Sequence, residues 1–195
     1  MRKIPRALDD DQRRAILSIP YSGKGRPQYA SSYRNLVAMR LMLNGGLRCA
    51  EVLGIDTHHV TWTGKDAGLL RVVNGKGGKD RVLQFGERDL FMMAELKKLY
   101  GFRKGPLFRK KDGTRLSDRM LRRVIHRYSV KAGIDPPIGP HILRHTFATR
   151  LYTRTKNIRM VQMALGHASI NTTQIYTHIA DPDRFEATRA LGDED

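Results

Sequence analysis

"HILRHTFATRL", residues 141–151, is the stretch on which the reading of this chain turns. Pro140 precedes it and suits the first turn of a helix, where no backbone N–H is needed. A helix is therefore expected over about 140–153. On that helix His141 and Arg144 are three apart and share a face. His145 lies one turn beyond His141. Such a face could hold a metal, bind an anion or only pack, and the surrounding sequence has to decide.

Metal is the weakest of the three. His141 and His145 have the i, i+4 spacing of zinc ligands, but Ile142 stands where a zinc protease carries its glutamate, and no third ligand is evident. Carboxylates near the basic clusters are too sparse for a two-metal nuclease. "NGKGGKD" (74–80) lacks the spacing of a phosphate-cradling loop and opens no helix. No cofactor and no metal is implied.

Anion binding fits the charge. Thirty-six Lys and Arg against nineteen Asp and Glu leave a formal charge of +17. An excess of this kind opposes compaction unless a polyanion lies against it, and nucleic acid is the expected partner. No apolar run approaches the roughly 20 residues that cross a bilayer, and no apolar stretch follows the basic start of "MRKIPRALDDD". A membrane partner is therefore not expected. The single cysteine, Cys49, cannot form an internal disulfide, which fits a reducing cytoplasm. It is read as a small core residue.

Working outward, Asp9 followed by Gln12 resembles a capping box and opens a helix over about 10–18. "SSYRNLVAMRLML" (31–43) reads as a mostly buried helix stopped by Asn44-Gly45-Gly46, and a short helix follows from about Leu47 to Gly54. The period then changes. "GLLRVVN" (68–74) and "RVLQF" (81–85) read as two strands of a hairpin around "GKGGKD". Helical patterns resume at about 87–99, 117–132, 140–153, 157–165, 169–177 and 183–191. The expected fold class is mainly α with a small antiparallel β-sheet (α+β), in one domain over 1–195 with its core at about 8–180. A C-terminal helix is expected over about 182–191.

Several cationic side chains stand out against this background. Arg48 opens a helix just after two glycines, Lys76 sits at a hairpin tip, and His141 and Arg144 share a helical face. His167 follows a glycine at a helix end, and Tyr176 comes nine residues later. Each has a plain alternative. Arg48 and Glu51 at i, i+3 would make a surface ion pair worth at most ~0.5 kcal/mol. Lys76 would be a solvated charge and His167 a helix cap.

Taken together, "GGLRCAEVLGI" (45–55), "GKGGKDR" (75–81), "HILRHTFATRL" and "VQMALGHASINTTQIYTHI" (161–179) resemble the arginine box, hairpin lysine, His-x-x-Arg box and tyrosine segment of the tyrosine recombinases, or phage integrase family. The last segment resembles most the Xer branch. The resemblance runs from about residue 8 to residue 190. It implies the recombinase catalytic fold and a catalytic set of Arg48, Lys76, His141, Arg144, His167 and Tyr176. Tyr176 would be the nucleophile, the arginines would clamp the phosphate oxygens, and His141 would help take the phenolic proton. His167 would donate a hydrogen bond to the phosphate, and Lys76 rather than Lys79 would protonate the leaving 5′ oxygen. His145 is expected to hold its helix in place, and Glu51 either orients an active-site group or forms an ion pair. His178 is expected to face solvent.

The implied activity is site-specific recombination of double-stranded DNA without metal or ATP. The implied assembly is a monomer when free and a homo-tetramer on DNA, in the cytoplasm at the nucleoid. Two alternatives stand beside it: a topoisomerase IB-like nicking-closing enzyme, and a non-catalytic DNA-binding regulator of the same fold. The family's N-terminal DNA-clamping domain is expected to be absent, because Asp9 already begins what resembles the catalytic domain's first helix. Weak, salt-sensitive DNA binding follows from that. The helix around "RMLRRVIHRY" (119–128) is the expected groove contact. Tyr176 is expected to be partly exposed beside the cations, on a movable segment.

Overall fold

The computed structural model describes residues 6–20, 29–62, 67–73 and 80–166. Among these residues seven α-helices and three strands follow in the order α1 (Asp10–Ser18), α2 (Tyr29–Gly45), α3 (Cys49–Leu53), β1 (Val60–Trp62), β2 (Ala67–Val72), β3 (Arg81–Gly86), α4 (Glu87–Leu99), α5 (Asp118–Lys131), α6 (Pro140–Thr155) and α7 (Ile158–Leu165), with a 3-10 turn at Thr57–His59 before β1. The fold is mainly helical with one small antiparallel sheet, as the sequence implies. The expected helices at 169–177 and 183–191 lie outside the described residues.

Local chemistry accounts for the boundaries. Asp9 accepts from the backbone N–H of Gln12 at 2.8 Å and so starts α1. Ser117 caps α5 through Met120, and Asn157 caps α7 through the same residue offset. Pro140 occupies the first turn of α6. Helix α2 runs two residues further at each end than its apolar pattern suggests, because eleven of its residues are buried against neighbours on several sides. It packs against α6 and α4 most extensively, and also against α1, α3 and α5. Leu36, Met39, Leu41, Met42 and Leu43 are fully enclosed there. Each is worth roughly 2 kcal/mol relative to an exposed position.

The sheet corrects the expectation of a two-stranded hairpin. Its order is β1-β2-β3, with Val60 opposite Leu70 and Val72 opposite Arg81. Strand β1 is only three residues long, too short to show a period of two. It is ordered by pairing with β2 rather than by any pattern of its own. The inner face of β3 follows the alternation Arg81, Leu83, Phe85, with Phe85 in the core.

Two features place the remaining elements around the future site. Gly46, just beyond α2, has φ of 63°, and a Cβ there would lie 2.4 Å from Cδ1 of Phe147. Only glycine lets the chain turn there while α6 packs this closely. Helix α6 is in turn enclosed on both sides. Leu143 joins the main core, while Ala148 and Tyr152 form a second cluster with Val161 and Leu165 of α7. The middle of α6 is therefore buried at four consecutive positions, Leu143 to Thr146. Among the described residues no helix is long and apolar enough to cross a membrane.

Candidate active site

The site is built around one carboxylate. Glu51 is the third residue of α3 and reaches back to accept the backbone N–H of Arg48 at 2.7 Å, as the glutamate of a capping box does. The same carboxylate accepts Nη1 of Arg48 at 2.7 Å, and Nη1 and Nη2 of Arg81 at 2.8 Å each. Nη1 of Arg144 lies 3.6 Å from its Oε2. Glu51 is only 7% exposed. Arg48 and Glu51 do pair, but within a buried carboxylate centre of three arginines and not as an isolated surface pair. The reason is tertiary, since β3 and α6 bring the other two guanidinium groups to α3.

Charge balance follows directly. Three permanent cations surround one anion, so the centre keeps a net positive charge aimed at any anion that enters. Burial alone pushes the Glu51 carboxyl up, but the hydrogen bonds from Arg81 and from the backbone and side chain of Arg48 outweigh it and hold the group at about 2. The carboxylate is therefore ionised at neutral pH.

Each arginine is held differently. Arg144 is buried on α6 and donates from Nη1 to the carbonyl of Gly46 at 2.6 Å and from Nη2 to the carbonyl of Leu165 at 2.9 Å. These bonds join the end of α2, α6 and the end of α7 through one guanidinium. Arg48 is the most accessible of the three, with its side chain 27% exposed. Among the described residues only its Nη1 and backbone N–H are engaged, so Nε and Nη2 can meet an incoming anion. Arg81 is 14% exposed and places both terminal nitrogens on Glu51.

The structure brings Arg48 and Arg144 to the same carboxylate, that of Glu51. His141 lies in the first turn of α6, exposed, with Asp118 of α5 within electrostatic reach. His145 is buried on α6, in keeping with a packing role. Cys49 is buried beside Arg48. Burial first, and then a hydrogen bond with Asp118, pushes its thiol up to about 12, so it stays protonated and is no competing nucleophile. Lys76, Lys79, His167, Tyr176 and His178 lie outside the described residues.

Sequence reasoning left Arg81 out of the site, although it closes the quoted segment "GKGGKDR". The available signal was its place two and four residues before Leu83 and Phe85, on the inner face of the same strand. Beside α5 the structure also shows a cleft of about 630 Å³ lined by Lys110, Lys111, Arg123, Arg127 and Lys131 among others. The outward face of α5 is mostly basic, with Arg119, Arg122, Arg123, Arg127 and Lys131 exposed beside Asp118 and Val130, while Leu121, Val124, Ile125 and Tyr128 face inward.

The family model described as the Phage integrase family matches residues 6–182. This chain belongs to the phage integrase family. Among curated relatives, the tyrosine recombinase XerD of Ralstonia nicotianae is 36% identical over 184 residues, covering 91% of this chain and 57% of the relative. The tyrosine recombinase XerC of Thermodesulfovibrio yellowstonii is 33% identical over 187 residues, covering 91% and 59%. The chain thus spans less than two thirds of the length of these relatives. Among solved structures, the XerH site-specific recombinase in a post-cleavage complex with its palindromic difH substrate superposes with a TM-score of 0.81 at 28% identity, over 98% of this chain and 54% of the other. The XerA recombinase gives 0.74 at 28% identity, over 98% and 66%. For this phage integrase family member, the fold class and the Xer-like character read from the sequence both stand.

Proposed function

We propose that the chain is the single catalytic domain of a site-specific DNA recombinase that cleaves and rejoins duplex DNA through a 3′-phosphotyrosyl intermediate. The observation that carries this is the convergence of Arg48 and Arg144, from α3 and α6, on one buried carboxylate that leaves the centre net positive. The curated relatives are named as recombinases, and one similar solved structure is a site-specific recombinase in a post-cleavage complex with its difH substrate. These points favour recombination over a topoisomerase-like enzyme or a regulator without catalysis.

In this reading the oxygen of Tyr176 attacks phosphorus and the bond from phosphorus to the 5′ oxygen breaks. Ionising the phenol costs roughly 4 kcal/mol at about pH 7, and nearby cations reduce that cost. The phenolic proton passes towards His141, and Lys76 gives a proton to the leaving 5′ oxygen. Charge that builds on the non-bridging oxygens is met by Arg48 and Arg144, with His167 donating a further hydrogen bond. Losing one such donor typically costs about 10²–10³ in rate. The products are a 3′-phosphotyrosine and a 5′-hydroxyl. Attack by a 5′-hydroxyl of another strand reverses the step, so the bond energy is kept and neither metal nor ATP takes part.

The partner is double-stranded DNA, met by the basic face of α5 and the cleft next to it, and the assembly on DNA is a homo-tetramer at the nucleoid. The test uses a nicked duplex from which the downstream fragment diffuses away after cleavage. A covalent protein–DNA adduct on a denaturing gel is expected, and none with Tyr176→Phe. DNA binding without an adduct would overturn the enzyme reading. Relaxed supercoils without recombinant products would favour the topoisomerase-like one.

A further inference from the structure

Arg81 has no role in the mechanism above, yet both of its terminal nitrogens are bonded to the carboxylate at the centre of the site. It is the first residue of β3 and pairs with Val72, so the connection that carries Lys76 begins and ends at this point. Its two terminal nitrogens sit on the two oxygens of Glu51 at 2.8 Å each, the fork-on-carboxylate geometry that fixes orientation as well as distance. Its neighbour Asp80 accepts Nε and Nη2 of Arg71 at 3.0 and 2.8 Å. The base of the Lys76 hairpin is thus held by ion pairs at two successive residues.

A third contact lies at the end of α7. Gly166 has φ of 63°, and a Cβ there would be 3.1 Å from Nη1 and 3.2 Å from Cδ of Arg81. The backbone that leads into His167 therefore lies directly against this guanidinium. Among the described residues Nε of Arg81 has no hydrogen-bond partner, so Glu51 alone fixes the head group. Because both forked nitrogens are spent on that carboxylate, Arg81 is not arranged to clamp a phosphate as Arg48 is.

We infer that Arg81 is a positioning residue, which holds the base of the Lys76 hairpin and the approach to His167 on the same carboxylate that carries Arg48. The inference rests on the recombinase reading, with Lys76 as general acid. Without the fork, Glu51 loses two of its donors and its Oε2 is free to draw Arg144 closer, while the hairpin base loses its tie to α3. A lysine at this position keeps the charge but cannot span both oxygens.

The test measures single-turnover cleavage by wild type, Arg81→Gln and Arg81→Lys on two nicked duplexes. One carries the ordinary 5′ oxygen at the scissile bond and the other a bridging 5′ sulfur, which leaves as thiolate without being protonated. A general acid displaced by about 1 Å costs on the order of 10²-fold, so Arg81→Gln is expected to lose about that much on the oxygen duplex and under about tenfold on the sulfur one. Arg81→Lys is expected to stay at least about tenfold slow on oxygen, with DNA affinity within about threefold of wild type for both variants. Wild-type rates for both variants on oxygen would overturn the inference, and so would equal losses on the two duplexes. If Arg81→Gln proves unfolded by circular dichroism, the same ratio for Arg81→Lys decides. Wild type giving no adduct on either duplex would instead overturn the recombinase reading, so the two failures are distinct.

Discussion

Replacing Glu51 by glutamine removes the one negative charge from a buried centre of three arginines while keeping the shape of the side chain. The amide offers a single acceptor oxygen where the carboxylate offers two, and its NH₂ group must face a guanidinium that also only donates. Breaking a buried ion pair by removing one partner costs about 3–5 kcal/mol. Arg48 can rehydrate because about a quarter of its side chain is exposed, whereas Arg81 and Arg144 stay enclosed. The lower end, about 3 kcal/mol, is therefore expected, which in a chain of this size corresponds to a melting temperature lower by roughly 6–12 °C.

The pH dependence gives a sharper check. The folded carboxyl is held at about 2 against an ordinary 4.5, so in that window the folded state binds fewer protons than the unfolded state. The stabilisation is present in full above about 4.5 and is lost as pH falls towards 2. Urea unfolding of wild type and Glu51→Gln from about pH 7 to about pH 3.5 reads this directly. The gap should hold near ~3 kcal/mol down to about pH 5 and then close by up to ~1.4 kcal/mol per pH unit. A gap under ~1 kcal/mol at neutral pH, or one that stays constant on acidification, would refute the argument that a buried charged hub holds the site together.

Two further outcomes follow from the geometry. Gly46→Ala puts a Cβ 2.4 Å from the Phe147 ring at a positive φ, so a loss of about 3 kcal/mol is expected by urea unfolding, with slower cleavage because the Gly46 carbonyl orients Arg144. Arg123→Ala and Arg127→Ala should each reduce the steepness of the log–log dependence of DNA affinity on salt by about 0.9, and an unchanged slope would take that side of α5 off the phosphate backbone.

Local signals were enough for most of the helices. Residues 87–99 carry a helical pattern that the structure reproduces end to end, and Asp9, Asn44-Gly45-Gly46 and Pro140 mark boundaries through caps and breakers that act within a few residues. Strand β1 was not legible, because three residues cannot display an alternation. Arg48 and Arg144 stand out in the sequence as members of recognisable boxes, and the fold places both at Glu51.

What Glu51 does could not be read from its neighbours. At i+3 from Arg48 it looks like a surface partner, and its burial depends on Arg81, thirty residues away, and on Arg144, in another helix. The sequence alone determined the elements, the polyanion-seeking charge and the residue types of the site, since propensity, capping and net charge are properties of short segments or of composition. Only the tertiary structure decided that one carboxylate gathers three arginines and that the hairpin base and the end of α7 meet at Arg81. Those contacts join segments far apart in the chain, and a buried charge is tolerated only where folding delivers its partners together.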